Sequence, residues 1–182
     1  MGRPLHVGII RSLGDFVRSR CAPETQAVYD ALVGTDEALD CRAVPDERVR
    51  ALVEELARAE SRPAGELLAE YGRFWAVGAR NSYPTVFAAP DARSFLLRFG
   101  GIHVASRGLP GARPPEIAVR DAGPGELVLR YDSPRRMCGL VRGMVEGIAE
   151  AYGERVRLEE PECLLRGDPH CTFRVAFEAG PA

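Results

Sequence analysis

Residues 126–152 read ELVLRYDSPRRMCGLVRGMVEGIAEAY, and their hydrophobic period changes once along the way. Up to Ser133, apolar and polar residues alternate, as a strand with one buried face requires. From Met137 to Tyr152 the apolar residues Leu140, Val141, Met144, Val145 and Ile148 recur at helical spacing. The preceding stretch, EIAVRD, alternates in the same way. AGPG between the two runs is turn chemistry, so together they predict an antiparallel hairpin. Two further strands, RVRLEEPE and HCTFRVAFE, follow the helix and are joined by LLRGD. The C-terminal half therefore reads strand–strand–helix–strand–strand.

Upstream, the texture is helical. Leu5, Ile9, Leu13 and Phe16 form one stripe. PETQAVYDALVG opens on proline and closes on Gly34, and Asp46 is placed to cap DERVRALVEELARAE. SRPAGELLAEY gives a fourth helix that can run on through GRFWAV. DARSFLLRFGGIHVASR gives a fifth, which Gly100-Gly101 should weaken or bend. The rigid PGARPP then separates a helical half (1–108) from a sheet-containing half (109–182). With no repeat or low-complexity linker between them, the expectation is one domain of the α+β class, helices packed on an antiparallel sheet of β-β-α-β-β order.

The 182 residues carry 46% hydrophobic and 27% charged side chains and a formal charge of −2. Lysine is absent, and no basic run suggests nucleic acid or a membrane surface as partner. No apolar stretch approaches the ~20 residues that span a bilayer. The N-terminus lacks the apolar core and cleavage site of a signal peptide, so a cytoplasmic location is expected. Five cysteines without such a signal favour free thiols or metal over a disulfide framework. Nothing in the sequence assigns a role to Cys21 or Cys41.

His103 sits in FGGIHVASRG between Ile102 and Val104. A lone histidine is more often structural or superficial than a ligand. Its apolar flanks nonetheless favour a neutral imidazole available to a metal, and the paired glycines leave room for a flat group. At strand spacing Tyr131, Ser133 and Arg135 would project together, and two hydroxyls with a guanidinium suit a carboxylate. The plain alternative is an exposed strand end, and the neighbouring Arg136 could equally supply the guanidinium. Cys163 and Cys171 flank CLLRGDPHC, and Cys138 begins the helix before it. Three thiolates with His170 or Glu160 would complete a tetrahedral zinc site, the alternative being ordinary buried thiols. No nucleophile–base pair, phosphate loop or paired carboxylates argue for an enzyme.

The segments GIIRSLGDFV, YGRFW, IHVASRGLPGARPPEI, YDSPR and GLVRGMVEGIAEAYG, in this order, resemble the haem–nitric oxide/oxygen-binding (H-NOX) family, related to the sensor domain of soluble guanylate cyclase. The resemblance covers nearly the whole length. It implies haem b with His103 as axial iron ligand, propionates held by Tyr131, Ser133 and Arg135, and Pro115 pressing on and distorting the macrocycle. Oxygen-binding members place a tyrosine on the helix after Y-x-S-x-R. Here the expected distal residues are Leu5, Ile9, Trp75, Leu140, Val141 and Met144, with Trp75 or Tyr71 as alternative donors. Nitric oxide and carbon monoxide are thus the expected ligands, with weak or no stable oxygen binding. The implied switch rotates the helical half against the sheet half. With no room in 182 residues for a second catalytic domain, its output is expected through a separate partner, a histidine kinase or cyclic-dinucleotide enzyme by analogy with bacterial relatives. Some members of the family carry zinc in the C-terminal half. Vinyl-reductase-like domains share C-x-x-x-G-D-x-x-C-x-F, matched by Cys163, Gly167, Asp168, Cys171 and Phe173. The competing expectation is therefore a haem-free zinc–thiolate redox sensor or small-molecule-binding domain.

Overall fold

The computed structural model describes residues 5–33, 46–106 and 114–178, excepting the side chains of 5–9, 46, 103, 105 and 106. Five helices come first: α1 (Leu5–Arg20), α2 (Pro23–Val33), α3 (Asp46–Ala59), α4 (Ala64–Ser82) and α5 (Ala92–Ser106). The hairpin β1 (Glu116–Gly123) and β2 (Glu126–Asp132) leads into α6 (Cys138–Ala151), then β3 (Val156–Glu162) and β4 (Cys171–Phe177). All strands pair antiparallel in the order β1-β2-β4-β3, so the β-β-α-β-β reading holds. The hairpin turns where expected, with Gly123 and Gly125 at positive φ, a region open to glycine for want of a Cβ.

Two apolar clusters organise the described residues. Phe16, Val17, Leu56, Leu67 and Tyr71 belong to the first, formed by α1, α2, α3 and the start of α4. Tyr71 also bonds Ser12 through its hydroxyl at 2.6 Å. Leu127, Leu129, Phe173 and Val175 from the sheet join Val145 and Ile148 of α6 and Phe95 and Leu96 of α5 in the second. Ala76 and Ala79 belong there too, so the boundary between clusters runs through α4, whose two ends serve different cores.

What holds α4 to α6 is the absence of side chains. Gly139, Gly143 and Gly147 fall every fourth residue along one face of α6. A Cβ at any of them would collide with α4 backbone, at Gly65, Ala69 and Arg73 respectively. Gly72 of α4 returns the contact against the backbone of Leu140 and Met144. Close backbone approach of this kind brings many weak dispersion contacts into range at once.

Gly100-Gly101 does not interrupt the helix: α5 runs unbroken from Ala92 to Ser106. The reason is packing. A Cβ at Gly100 would strike the Ile117 carbonyl of β1, so the missing side chain seats the helix on the strand, and only Gly101 faces open space. The space at Gly100 is therefore filled by protein and is not room for a flat ligand.

These contacts separate two kinds of glycine. Gly143→Ala is expected to destabilise the fold by about 1–3 kcal/mol through overpacking. Gly78→Ala, on an exposed stretch of α4 with nothing near its Cβ, should stabilise by ~1 kcal/mol through helix propensity. Thermal denaturation of the two variants checks both signs.

Candidate functional site

Three motifs far apart in sequence meet at one end of the sheet. Gly100, one helical turn before His103, lies against Ile117; Ile117 follows Pro115 by two residues and pairs with Tyr131 across the hairpin. The fold thus brings α5 near position 103, the start of β1 and the Tyr131–Arg135 segment together. His103 is carried on α5, its side chain outside the described residues, as are those of Leu5 and Ile9 on α1. Pro115 is half-buried just ahead of β1.

Tyr131, Ser133 and Arg135 are all buried, at 3%, 3% and 9% exposure. Their convergence does not come from strand periodicity, because β2 ends at Asp132. A tight turn replaces it. The Ser133 carbonyl accepts from the Arg136 amide at 3.1 Å, Ser133 Oγ accepts from the Arg135 amide at 3.3 Å, and Arg136 sits at φ 52°. The turn leads into α6, whose first turn it also satisfies: Tyr131 Oη accepts from the Met137 amide at 3.2 Å. Arg50 of α3 donates to the Pro134 carbonyl at 3.4 Å, tying the loop to the helical cluster. A buried guanidinium beside two buried hydroxyls is a donor set whose natural complement is a carboxylate pair. It fits the propionates of a haem.

The expected distal residues do not share one face. Leu140 packs on the helical cluster, while Val141 is buried in the sheet core and Met144 packs against that core. Trp75 touches both clusters. Tyr71 Oη is engaged with Ser12, away from α6's sheet side.

A second polar centre lies behind Tyr131. The sulfurs of Cys138, Cys163 and Cys171 and a carboxylate oxygen of Glu160 lie within 4.8 Å of one another. Cys138 Sγ is 2.9 Å and Cys163 Sγ 4.0 Å from Cys171 Sγ. These separations bracket the ~3.8 Å that ~2.3 Å zinc–sulfur bonds at tetrahedral angles impose. Glu160 Oε2 pairs with Arg142 at 3.3 Å, whereas its Oε1 is buried without a hydrogen-bond partner. Such an oxygen is costly unless something binds it, and a cation is the fitting complement.

The turn between β3 and β4 builds this centre. Asp168 Oδ2 accepts from the Cys163 amide at 2.7 Å, Gly167 takes φ 93°, and Cys171 Sγ accepts from the Leu164 amide at 3.3 Å. The spacing of Cys163, Gly167, Asp168 and Cys171 thus encodes one turn. His170 is not part of it; its Nε2 faces Glu162 at 3.3 Å. Between His170 and Glu160 as fourth member, the structure selects Glu160. His170 lies in the bend before β4 begins at Cys171, so strand alternation does not place it. Contact with Cys138 and burial raise the Cys171 thiol well above its ordinary range, and burial raises that of Cys163. Cys21 lies elsewhere, in the helical cluster, and Cys41 is outside the described residues.

No helix among the described residues is long and apolar enough to cross a membrane.

Among solved structures, this fold is similar to that of H-NOX proteins. The H-NOX protein from S. oneidensis in its Fe(II)NO ligation state superposes with a TM-score of 0.82 at 22% identity, covering 94% of this chain and 99% of that one. A point mutant of the T. tengcongensis H-NOX protein gives 0.77 at 20% identity, with both chains covered completely. At these identities the likeness establishes the α+β fold. No curated protein matches. The family model for haem-NO-binding proteins matches residues 9–160, and the chain belongs to that family of haem-based gas sensors.

Burial makes the fold sensitive to alkali. Desolvation, with Glu60 nearby, pushes the Cys21 thiol up to about 11, and burial pushes the Tyr131 phenol up to about 12. Both groups stay neutral longer when folded, so the unfolded chain ionises first. Their stabilisation is complete below about pH 9 and lost as pH rises through 11–12. The thermal midpoint of the haem- and metal-free protein should fall across that window, less steeply in Cys21→Ala.

Proposed function

We propose that this chain is itself a haem-based sensor of nitric oxide and carbon monoxide, a binding module and not an enzyme. The observation carrying the reading is the convergence of Gly100, Ile117 and the buried Tyr131–Ser133–Arg135 corner, which gives a carboxylate-bearing planar group a place to anchor beside position 103. Haem b, when bound, would supply the iron centre that takes a diatomic gas.

The chain's own residues would then divide the work. Arg135 grips a propionate while the hydroxyls of Tyr131 and Ser133 fill its remaining lone pairs. His103 would hold the iron through an imidazole nitrogen, and Pro115, at the entry to β1, would press on the ring. Leu5, Ile9, Trp75 and Leu140 would furnish the gas side, with no phenol on α6; Val141 and Met144 belong with the sheet core. Superoxide-like dioxygen needs a hydrogen-bond donor more than nitric oxide or carbon monoxide does, which favours the latter two. Movement of α5 would pass to β1 at Gly100–Ile117, while the glycine contacts keep α4 and α6 together. The readout is a separate cytoplasmic partner, a histidine kinase or cyclic-dinucleotide enzyme.

A second metal is favoured by a specific observation, the partnerless Glu160 Oε1 among three thiols. Zinc held by Cys138, Cys163, Cys171 and Glu160 would be structural, with all four positions taken by protein.

The ferrous protein supplied with haem should show a Soret band that shifts under nitric oxide and forms no stable dioxygen complex. In His103→Gly the band should weaken or require added imidazole. Absence of stoichiometric haem uptake, with zinc present by elemental analysis, would establish the haem-free thiolate sensor instead. Glu160→Ala should lower zinc affinity, in competition with a chromogenic chelator, by at least the roughly 10–100-fold that loss of an outer-shell partner costs.

A further inference from the structure

The loop from Tyr131 to Cys138 is closed at its base by a single residue of the neighbouring strand. Tyr131, where the loop begins, pairs across the sheet with Cys171. Cys138, where it ends, meets the same residue through sulfur at 2.9 Å. Inside this closure, Tyr131 Oη accepts from Met137, and Cys138 Sγ lies 3.7 Å from the Arg136 carbonyl it donates to. Ser133 and Arg135 ride on the loop so enclosed. Cys163 and Glu160 reach the closure from the β3 side.

We infer that the thiol cluster is the staple of the anion-gripping loop, so that a metal ion bound by Cys138, Cys163, Cys171 and Glu160 tightens the grip on haem carboxylates. The inference rests on the two bound groups proposed above and adds a coupling between them. A cation joining Cys138 to Cys171 fixes the loop's far end to the strand that already fixes its near end. Ordering of Tyr131, Ser133 and Arg135 is then supplied before the carboxylates arrive. Without the ion, the three side chains must be ordered by the haem itself. Linkage requires the reverse effect of equal size: haem must raise the affinity for zinc.

The experiment measures haem loss from the full-length ferric protein to excess apomyoglobin, zinc-loaded, stripped with a chelator, and reloaded with zinc. Stripping should speed loss about tenfold, a typical coupling, and reloading should restore it. The same series with haem dimethyl ester, which has no free carboxylates, separates the loop from general loosening. There the zinc dependence should vanish, as it should for ordinary haem in Arg135→Ala. Equal loss rates with and without stoichiometric zinc overturn the coupling and leave both metal readings standing. A zinc effect that persists with the dimethyl ester or in Arg135→Ala overturns it as well, because the ion would then act on the whole fold. Failure of the chain to bind zinc, or to bind haem, removes the corresponding reading and this inference with it.

Discussion

Backbone-to-backbone contact between α4 and α6 is the constraint on which the rest of the molecule hangs. Gly139, Gly143 and Gly147 let α6 lie directly on Gly65, Ala69 and Arg73, and Gly72 answers from the other helix. Each helix then presents its remaining faces to different neighbours. α4 gives Leu67 and Tyr71 to the helical cluster and Ala76 and Ala79 to the sheet cluster. α6 gives Leu140 to the first and Val145 and Ile148 to the second. The pair forms a shared wall, and both cores depend on its thinness.

The buried Tyr131–Ser133–Arg135 corner is set at the end of that wall. Its turn follows β2 directly and hands its last amide, that of Met137, to Tyr131 Oη as α6 begins. Arg50 holds the turn from the helical side, and Cys171 holds it from the sheet. Buried polar groups are tolerated here because the turn satisfies them locally: Ser133 Oγ accepts from Arg135, and the Ser133 carbonyl from Arg136. The corner is thereby tied to both clusters.

The thiol centre obeys the same economy. One short turn, closed by Asp168 and relaxed by Gly167 at positive φ, orients Cys163 and Cys171 and directs the Leu164 amide at a sulfur. That amide offsets only part of the effect of burial and of Cys138, which together keep the Cys171 thiol well above its ordinary range. The orphaned Glu160 oxygen completes a donor set that no periodicity argument could have assembled.

Local rules already contained in the sequence determined the elements and their order. Apolar spacing marks the five N-terminal helices, the alternating EIAVRD and ELVLRYDS mark the hairpin, and AGPG marks its turn, because each rests on residues close along the chain. Tyr131, Ser133 and Arg135 stood out by residue type, but strand alternation was the wrong reason for their meeting, since β2 stops at Asp132 and a turn finishes the job. The four-residue glycine spacing in GLVRGMVEG is present in the sequence, but nothing local marks that face as a helix contact. Tertiary structure alone decided which backbone each glycine admits, how Gly100 seats α5 on β1, and that Glu160 joins the thiols. Those outcomes depend on elements distant in sequence that share no local signal, and only packing brings them within reach of one another.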